Sequence, residues 1–187
     1  KPDYADAYIN LGITLKNLGQ LDAAVKCFKQ ALAIKPDYAE AHNNLGNTLD
    51  DLGQLDAAVK SYEDALAIKP DFAEAHNNLG NALNNLDQLD EAVKSFEKAV
   101  AIKPDYAEAH NNLGNTLMNL DQLDASIKSF EKALTIKTDY AEAHNNLGNS
   151  LEELGRLEKA EASYKQAIAF KPDFAEAHNN LGNILMN

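Results

Sequence analysis

Residues 35–70 read KPDYAEAHNNLGNTLDDLGQLDAAVKSYEDALAIKP. In the first half Ala41, Leu45, Leu49 and Leu52 recur at spacings of four, four and three, which gathers them on one face of a helix. Asp37 with Glu40 three residues later predicts a capping box at the start of that helix. Gly53, just past Leu52, supplies the left-handed residue with which helices end. A second apolar stripe follows at once in Leu55, Ala58, Val59, Tyr62, Ala65, Leu66 and Ile68, and Lys69-Pro70 stops it because proline cannot continue a helix. The stretch predicts a helical hairpin. Gly46 and Ala58 are the small residues that let its arms approach, with Tyr62 filling the space beside them.

The string Lys-Pro-Asp-aromatic begins at residues 1, 35, 69, 103 and 171, and Lys137-Thr138-Asp139-Tyr140 fills the gap, at a constant interval of 34 residues. Such self-similarity is the signature of a stacked array, in which each unit buries its apolar face only against its neighbours. Counting by length therefore does not apply, and residues 1–187 are read as one all-α domain. Its units are 3–36, 37–70, 71–104, 105–138 and 139–172, with a half repeat at 173–187.

At 45% hydrophobic and 25% charged residues the composition is that of a folded, soluble chain. No apolar run approaches the roughly 20 residues of a spanning helix. The opening Lys1-Pro2-Asp3-Tyr4 carries neither a start methionine nor a targeting stretch, so the chain reads as a segment of something longer. Its compartment is not encoded, and a cytoplasmic one is the expectation. A net charge of −12 argues against nucleic acid or anionic membrane as partner and favours a neutral or basic one. Cys27 is the only cysteine; its slot is Ser61, Ser95, Ser129 and Ser163 elsewhere, so it is expected as a small, at least half-buried filler.

His42-x-x-Leu45-Gly46-x-x-Leu49, then Ala58-x-x-x-Tyr62 and Pro70, resembles the tetratricopeptide repeat, and the resemblance covers the whole chain. Two slots that are usually aromatic depart from the pattern. One holds Tyr8 and then His42, His76, His110, His144 and His178; the other holds Leu15, Leu49, Leu83, Leu117 and Leu151. The resemblance implies an α-solenoid in the form of a right-handed superhelix, first helices lining a concave groove and second helices forming the back. It also implies a protein-binding scaffold.

The histidines stand one per helix with no second ligand at chelating spacing, so no metal is expected of them; they are expected to fill the aromatic slot with a locally bonded ring N–H. No nucleophile elbow or phosphate-cradling loop is present, and neither an enzyme activity nor a cofactor is expected. Glu40, Glu74, Glu108, Glu142 and Glu176 sit in first turns, where they favour the positive end of the helix dipole.

The asparagines stand out. Asn43, Asn44 and Asn47 recur as Asn77, Asn78 and Asn81, as Asn111, Asn112 and Asn115, as Asn145, Asn146 and Asn149, and as Asn179, Asn180 and Asn183. Asparagine is a poor helix former, so three in mid-helix are a local cost that invites a functional reason. Equivalent helices stack about 10 Å apart, the length of about three residues of extended peptide, and a carboxamide can hold both the C=O and the N–H of a peptide unit. The pattern is similar to the asparagine ladder of O-linked N-acetylglucosamine transferases, with the match on Asn10, Asn44, Asn78, Asn112, Asn146 and Asn180. The alternative is that the amides bond to one another and to neighbouring helices as structural glue.

The chaperone-binding branch of the family clamps a carboxylate with lysines where this chain has Ile9, Asn43, Asn77, Asn111 and Asn145, so that mode is not expected. Further along the helix the residues vary: Lys16 and Asn17, Asp50 and Asp51, Asn84 and Asn85, Met118 and Asn119, Glu152 and Glu153. Selectivity is expected there, and two acidic pairs favour a basic ligand. Three functions remain in competition: a peptide-binding scaffold, the substrate-recruiting arm of a glycosyltransferase, and an architectural spacer. Leu181, Ile184 and Leu185 are expected to be uncovered and to drive end-to-end self-association. Asp87 and Asp121 replace the helix-ending glycine and Thr138 the proline, so residues 119 to 140 are expected to be the softest interior region.

Overall fold

The computed structural model describes residues 3–186; Lys1, Pro2 and Asn187 lie outside it, and with them the first half of the first Lys-Pro-Asp-aromatic string. The described residues form eleven α-helices and no strand. They fall into two compact units that divide between Ile102 and Lys103.

The first unit holds α1 (Asp3–Asn17), α2 (Leu21–Ile34), α3 (Ala39–Asp51), α4 (Leu55–Ile68), α5 (Ala73–Asn85) and α6 (Leu89–Ile102). The second holds α7 (Ala107–Asn119), α8 (Leu123–Ile136), α9 (Ala141–Glu153), α10 (Leu157–Phe170) and α11 (Ala175–Met186). Within each unit consecutive odd and even helices pair as hairpins. Within a unit, α3, α5, α9 and α11 also touch the second helix before them and the first helix of the preceding hairpin.

The hairpin closes through a ring over a glycine. Tyr62, Phe28, Phe96, Phe130 and Tyr164 are fully buried, and a Cβ placed on Gly46 would lie 2.5 Å from Tyr62 Cε1. Ala58, Ala65 and their equivalents have no exposed surface, so the arms meet on small residues. Ile68 departs from its expected place: it is 39% exposed, as are Ile34 and Ile102 to similar extents.

The first helices α1, α3, α5, α7 and α9 end in Schellman turns. Gly53 N–H donates to Asp50 O at 2.8 Å and Gln54 N–H to Leu49 O at 2.8 Å, with Gly53 at φ +71°. Asp87 and Asp121 take the same left-handed conformation at φ 60° and 59°, as their slots require. Thr138 does not lengthen its helix: α8 stops at Ile136 in the register where the proline-bearing repeats stop.

The start of the helix differs from expectation. The N-cap of α3 is Tyr38, with no side-chain cap bond, so Asp37 and Glu40 do not form a capping box. Glu40 instead bonds its own backbone N–H, which is the main reason its carboxyl lies below the ordinary range; Lys69 Nζ, 3.2 Å away, adds to this. One carboxylate can serve an orphan donor of the first turn without a partner at the cap.

Candidate functional site

The three asparagine rows separate by depth. Asn43, Asn77, Asn111 and Asn145 are buried at 3%, 1%, 6% and 0% exposure, and not on the open face expected for them; Asn43 faces α5, Asn111 faces α9 and Asn145 faces α11. The reason is helical phase: the joint between hairpins covers the side of the helix that carries this row. Asn44, Asn78, Asn112, Asn146 and Asn180 are half-buried, Asn10 is exposed, and Asn47, Asn81, Asn115 and Asn149 are half-buried.

The rows are bonded to each other across the joint. Asn43 Nδ2 donates to Glu74 Oε1 at 3.4 Å, and Asn43 Oδ1 accepts from Asn78 Nδ2 at 3.1 Å. Asn78 Nδ2 also donates to Asn47 Oδ1 at 2.9 Å, and the Tyr62 hydroxyl donates to that same oxygen at 2.8 Å. The second unit repeats the arrangement. Asn145 Nδ2 donates to Glu176 Oε1 at 2.9 Å, and Asn180 Nδ2 donates to Asn145 Oδ1 at 3.2 Å and to Asn149 Oδ1 at 3.0 Å. Asn146 Nδ2 reaches Asn111 Oδ1 at 3.3 Å. In the first repeat the slots of Asn43 and Asn47 are Ile9 and Ile13, so no oxygen waits there for Asn44.

The variable positions lie along the same helices. Asp50 is half-buried, and burial first, then the neighbouring Asp51, pushes its carboxyl up. Asp51 is exposed and paired with Lys16 Nζ of the preceding repeat at 3.3 Å. In the second unit Met118, Asn149, Glu152, Glu153, Glu176 and Asn180, from three successive first helices, line one open recess of about 390 Å³. The Tyr164 hydroxyl lies 2.6 Å from Glu152 Oε2 and 2.9 Å from Asn149 Oδ1, and its single hydrogen is shared between them. Sequence reasoning did not find the tyrosine hydroxyls or Glu74 and Glu176 as partners of the amides. The alternation of Tyr with Phe in one slot was the available signal.

The histidines bond locally. Nε2–H of His42, His76 and His110 donates to the carbonyl oxygen of Pro36, Pro70 and Pro104 at 3.0 Å in each case. His144 does the same to Thr138 O at 3.0 Å, so a residue other than proline serves equally as acceptor. Cys27 is half-buried, in keeping with its role as a filler.

Sequence profiles described as tetratricopeptide repeat match residues 3–71, 44–107 and 95–128, and a TPR repeat profile matches 116–155 and 148–187. The chain belongs to the tetratricopeptide repeat family. No curated protein matches it in sequence. Among solved structures, this tetratricopeptide chain is similar to the MamA protein, with 26% identity and a TM-score of 0.82 over 94% of this chain and 96% of that one. It is similar to YrrB, described as a TPR protein with an unusual peptide-binding site, with 26% identity and a TM-score of 0.78 over 92% and 89%. It is also similar to a thermophilic TPR protein of Thermus thermophilus, TTC0263, with 25% identity and a TM-score of 0.72 over 98% and 100%. These likenesses establish the solenoid class, and tetratricopeptide arrays are typically protein-interaction scaffolds. They do not show the finer likeness to glycosyltransferase arrays. No helix among the described residues is long and apolar enough to cross a membrane.

Proposed function

We propose that the first-helix face binds an extended protein or peptide segment, neutral or basic, and holds it by its backbone on the Asn44 and Asn47 rows. One observation carries the reading: these amides are half-buried at the same slots of successive first helices, so they are presented to a ligand already ordered by the packing around them. The buried Asn43 row supports the rail from behind. Glu152, Glu153 and Glu176 around the recess, with Asp50 and Asp51 in the first unit, favour a basic segment. The similarity to YrrB supports a peptide ligand, and the 34-residue interval, unbroken in sequence across residues 102 and 103, supports one domain. The role is that of a binding scaffold and not of an enzyme.

Asn44 makes the test clean, because no inter-repeat oxygen depends on it. A library of basic and neutral decapeptides is screened against the chain, and the best binder is titrated against Asn44→Ala and Asn112→Ala. Weaker binding with an unchanged helical signal supports the rail; unchanged affinity in both variants removes it.

End-to-end self-association belongs to the same proposal. Leu181 and Ile184 pack against the cluster of Ile127, Leu151, Ala160 and Tyr164, so they are not bare as expected, whereas Leu185 is 64% and Met186 80% exposed. The supporting observation is this exposed apolar pair. A single sedimenting species of monomer mass at high concentration removes the idea.

A further inference from the structure

Which end of each carboxamide is left for a ligand is fixed at two joints by the bonds behind it. Glu74 is the anchor in the first unit. A carboxylate only accepts, so the Asn43 nitrogen that approaches it must be the NH2 end, and Asn43 Oδ1 is turned toward α5. That oxygen and Asn47 Oδ1 take the two hydrogens of Asn78 Nδ2, which leaves Asn78 Oδ1 over. A flip of Asn47 would set its NH2 against the Asn78 NH2, and it would also forfeit the Tyr62 hydroxyl as a donor. Asn47 Nδ2 is therefore the end turned away from the joint. Tyr62 is 1% exposed, and burial raises its hydroxyl far above the ordinary range, with Asp50, Asp51 and Glu74 adding to the effect; the hydroxyl remains a donor at neutral pH. Glu176, Asn145, Asn180 and Asn149 repeat this order in the second unit, where the Tyr164 hydroxyl divides its one hydrogen between Asn149 Oδ1 and Glu152 Oε2.

We propose that Tyr62 and Tyr164 are positioning residues for ligand binding. Through Asn47 and Asn149 they hold each joint in one polarity, showing a ligand the Nδ2 donor of Asn47 or Asn149 and the Oδ1 acceptor of Asn78 or Asn180. That pair is the complement of a peptide unit's C=O and N–H, so the group recognised is a secondary amide, and a tertiary amide, which has no hydrogen to give, is refused. Repeats with Phe28, Phe96 and Phe130 in the slot have no hydroxyl to supply. The proposal rests on the peptide-rail reading above and adds which atoms read the backbone.

The test uses two decapeptide probes of alternating lysine and alanine, one with ordinary amides and one N-methylated throughout, titrated against the full chain by fluorescence anisotropy. The wild-type chain is expected to prefer the ordinary peptide by about tenfold, the equivalent of one hydrogen bond to a neutral partner. Tyr62→Phe combined with Tyr164→Phe is expected to bring that ratio close to one while still binding peptide. Its fold is safe because phenylalanine already fills the slot in three repeats. In the amide NMR spectrum of the wild type, the side-chain NH2 signals of Asn47 and Asn149 are expected to shift on adding the ordinary peptide. A ratio that stays high in the double variant overturns the proposal and leaves the rail reading standing. Failure of the wild type to bind either probe overturns both.

Discussion

Tyr62 occupies the space into which a side chain on Gly46 would grow, its Cε1 2.5 Å from where a Cβ would sit, while nothing lies within 4 Å of the same point on Gly182. One slot in the repeat therefore has opposite demands at different places in the chain. Gly46→Ala is expected to cost about 1 to 3 kcal/mol by overpacking, since the obstacle is a fully buried ring. Gly182→Ala is expected to stabilise by about 0.5 to 1 kcal/mol through helix propensity. Urea titrations of the two variants followed by circular dichroism decide this, and equal shifts would show that the ring yields.

Asp87 and Asp121 hold a left-handed backbone that costs an L-residue about 1 kcal/mol and glycine little. Asp121→Gly and Asp87→Gly are each expected to raise the melting temperature, whereas alanine at either site lowers it. Hydrogen exchange in the wild type is expected to be fastest among interior turns around residues 119 to 140, and to slow there in Asp121→Gly. Uniform protection of all interior turns would speak against this.

His76 and His110 are buried, and that burial, joined by Lys98 and Lys132, holds their pKa below the ordinary value even though each bonds a carbonyl. In the window just below pH 6.5 the unfolded chain then binds more protons than the folded one, so stability is full above that pH and falls as the pH drops through the folded values. A second loss follows at lower pH, where Glu40 and Glu142, both depressed chiefly by their own backbone N–H, become protonated. His76→Tyr with His110→Tyr, using the residue that fills the slot as Tyr8, is expected to flatten the first decline and leave the second. Melting curves at half-unit pH steps from 7.5 to 3.5 make the comparison.

Asn145 has no exposed surface and joins Glu176 to Asn180. Asn145→Ala strips Glu176 of this donor and leaves Asn180 Nδ2 with Asn149 alone, and is expected to cost about 1 to 2 kcal/mol. Asn44→Ala is expected to cost nothing or to gain slightly from propensity. Thermal melts of the two variants separate adhesive amides from those available to a ligand.

The hairpins were legible because each is decided by residues close in sequence: the stripe of Ala41, Leu45 and Leu49, the left-handed Gly53, and the small Gly46 opposite Tyr62. The capping box was misread because Tyr38 takes the cap and Glu40 needs only its own N–H. The depth of the three asparagine rows could not be read from one helix, since a rotation of about 100° per residue separates neighbours and only the position of the next hairpin shows which side is covered. The role of Tyr62 was hidden for the same reason. Its hydroxyl meets Asn47, whose oxygen in turn serves Asn78 in the following repeat.

Ile9 and Ile13, which replace the two oxygen-bearing amides in the opening unit, make the gene's tolerance of copy-number change uneven. Duplicating or deleting a 34-residue tract later in the chain regenerates a junction of matched donors and acceptors. A further copy of residues 3–36 would meet the next unit's amide with hydrocarbon, as Ile9 and Ile13 already meet Asn44, so only copies of the later units extend the bonded ladder.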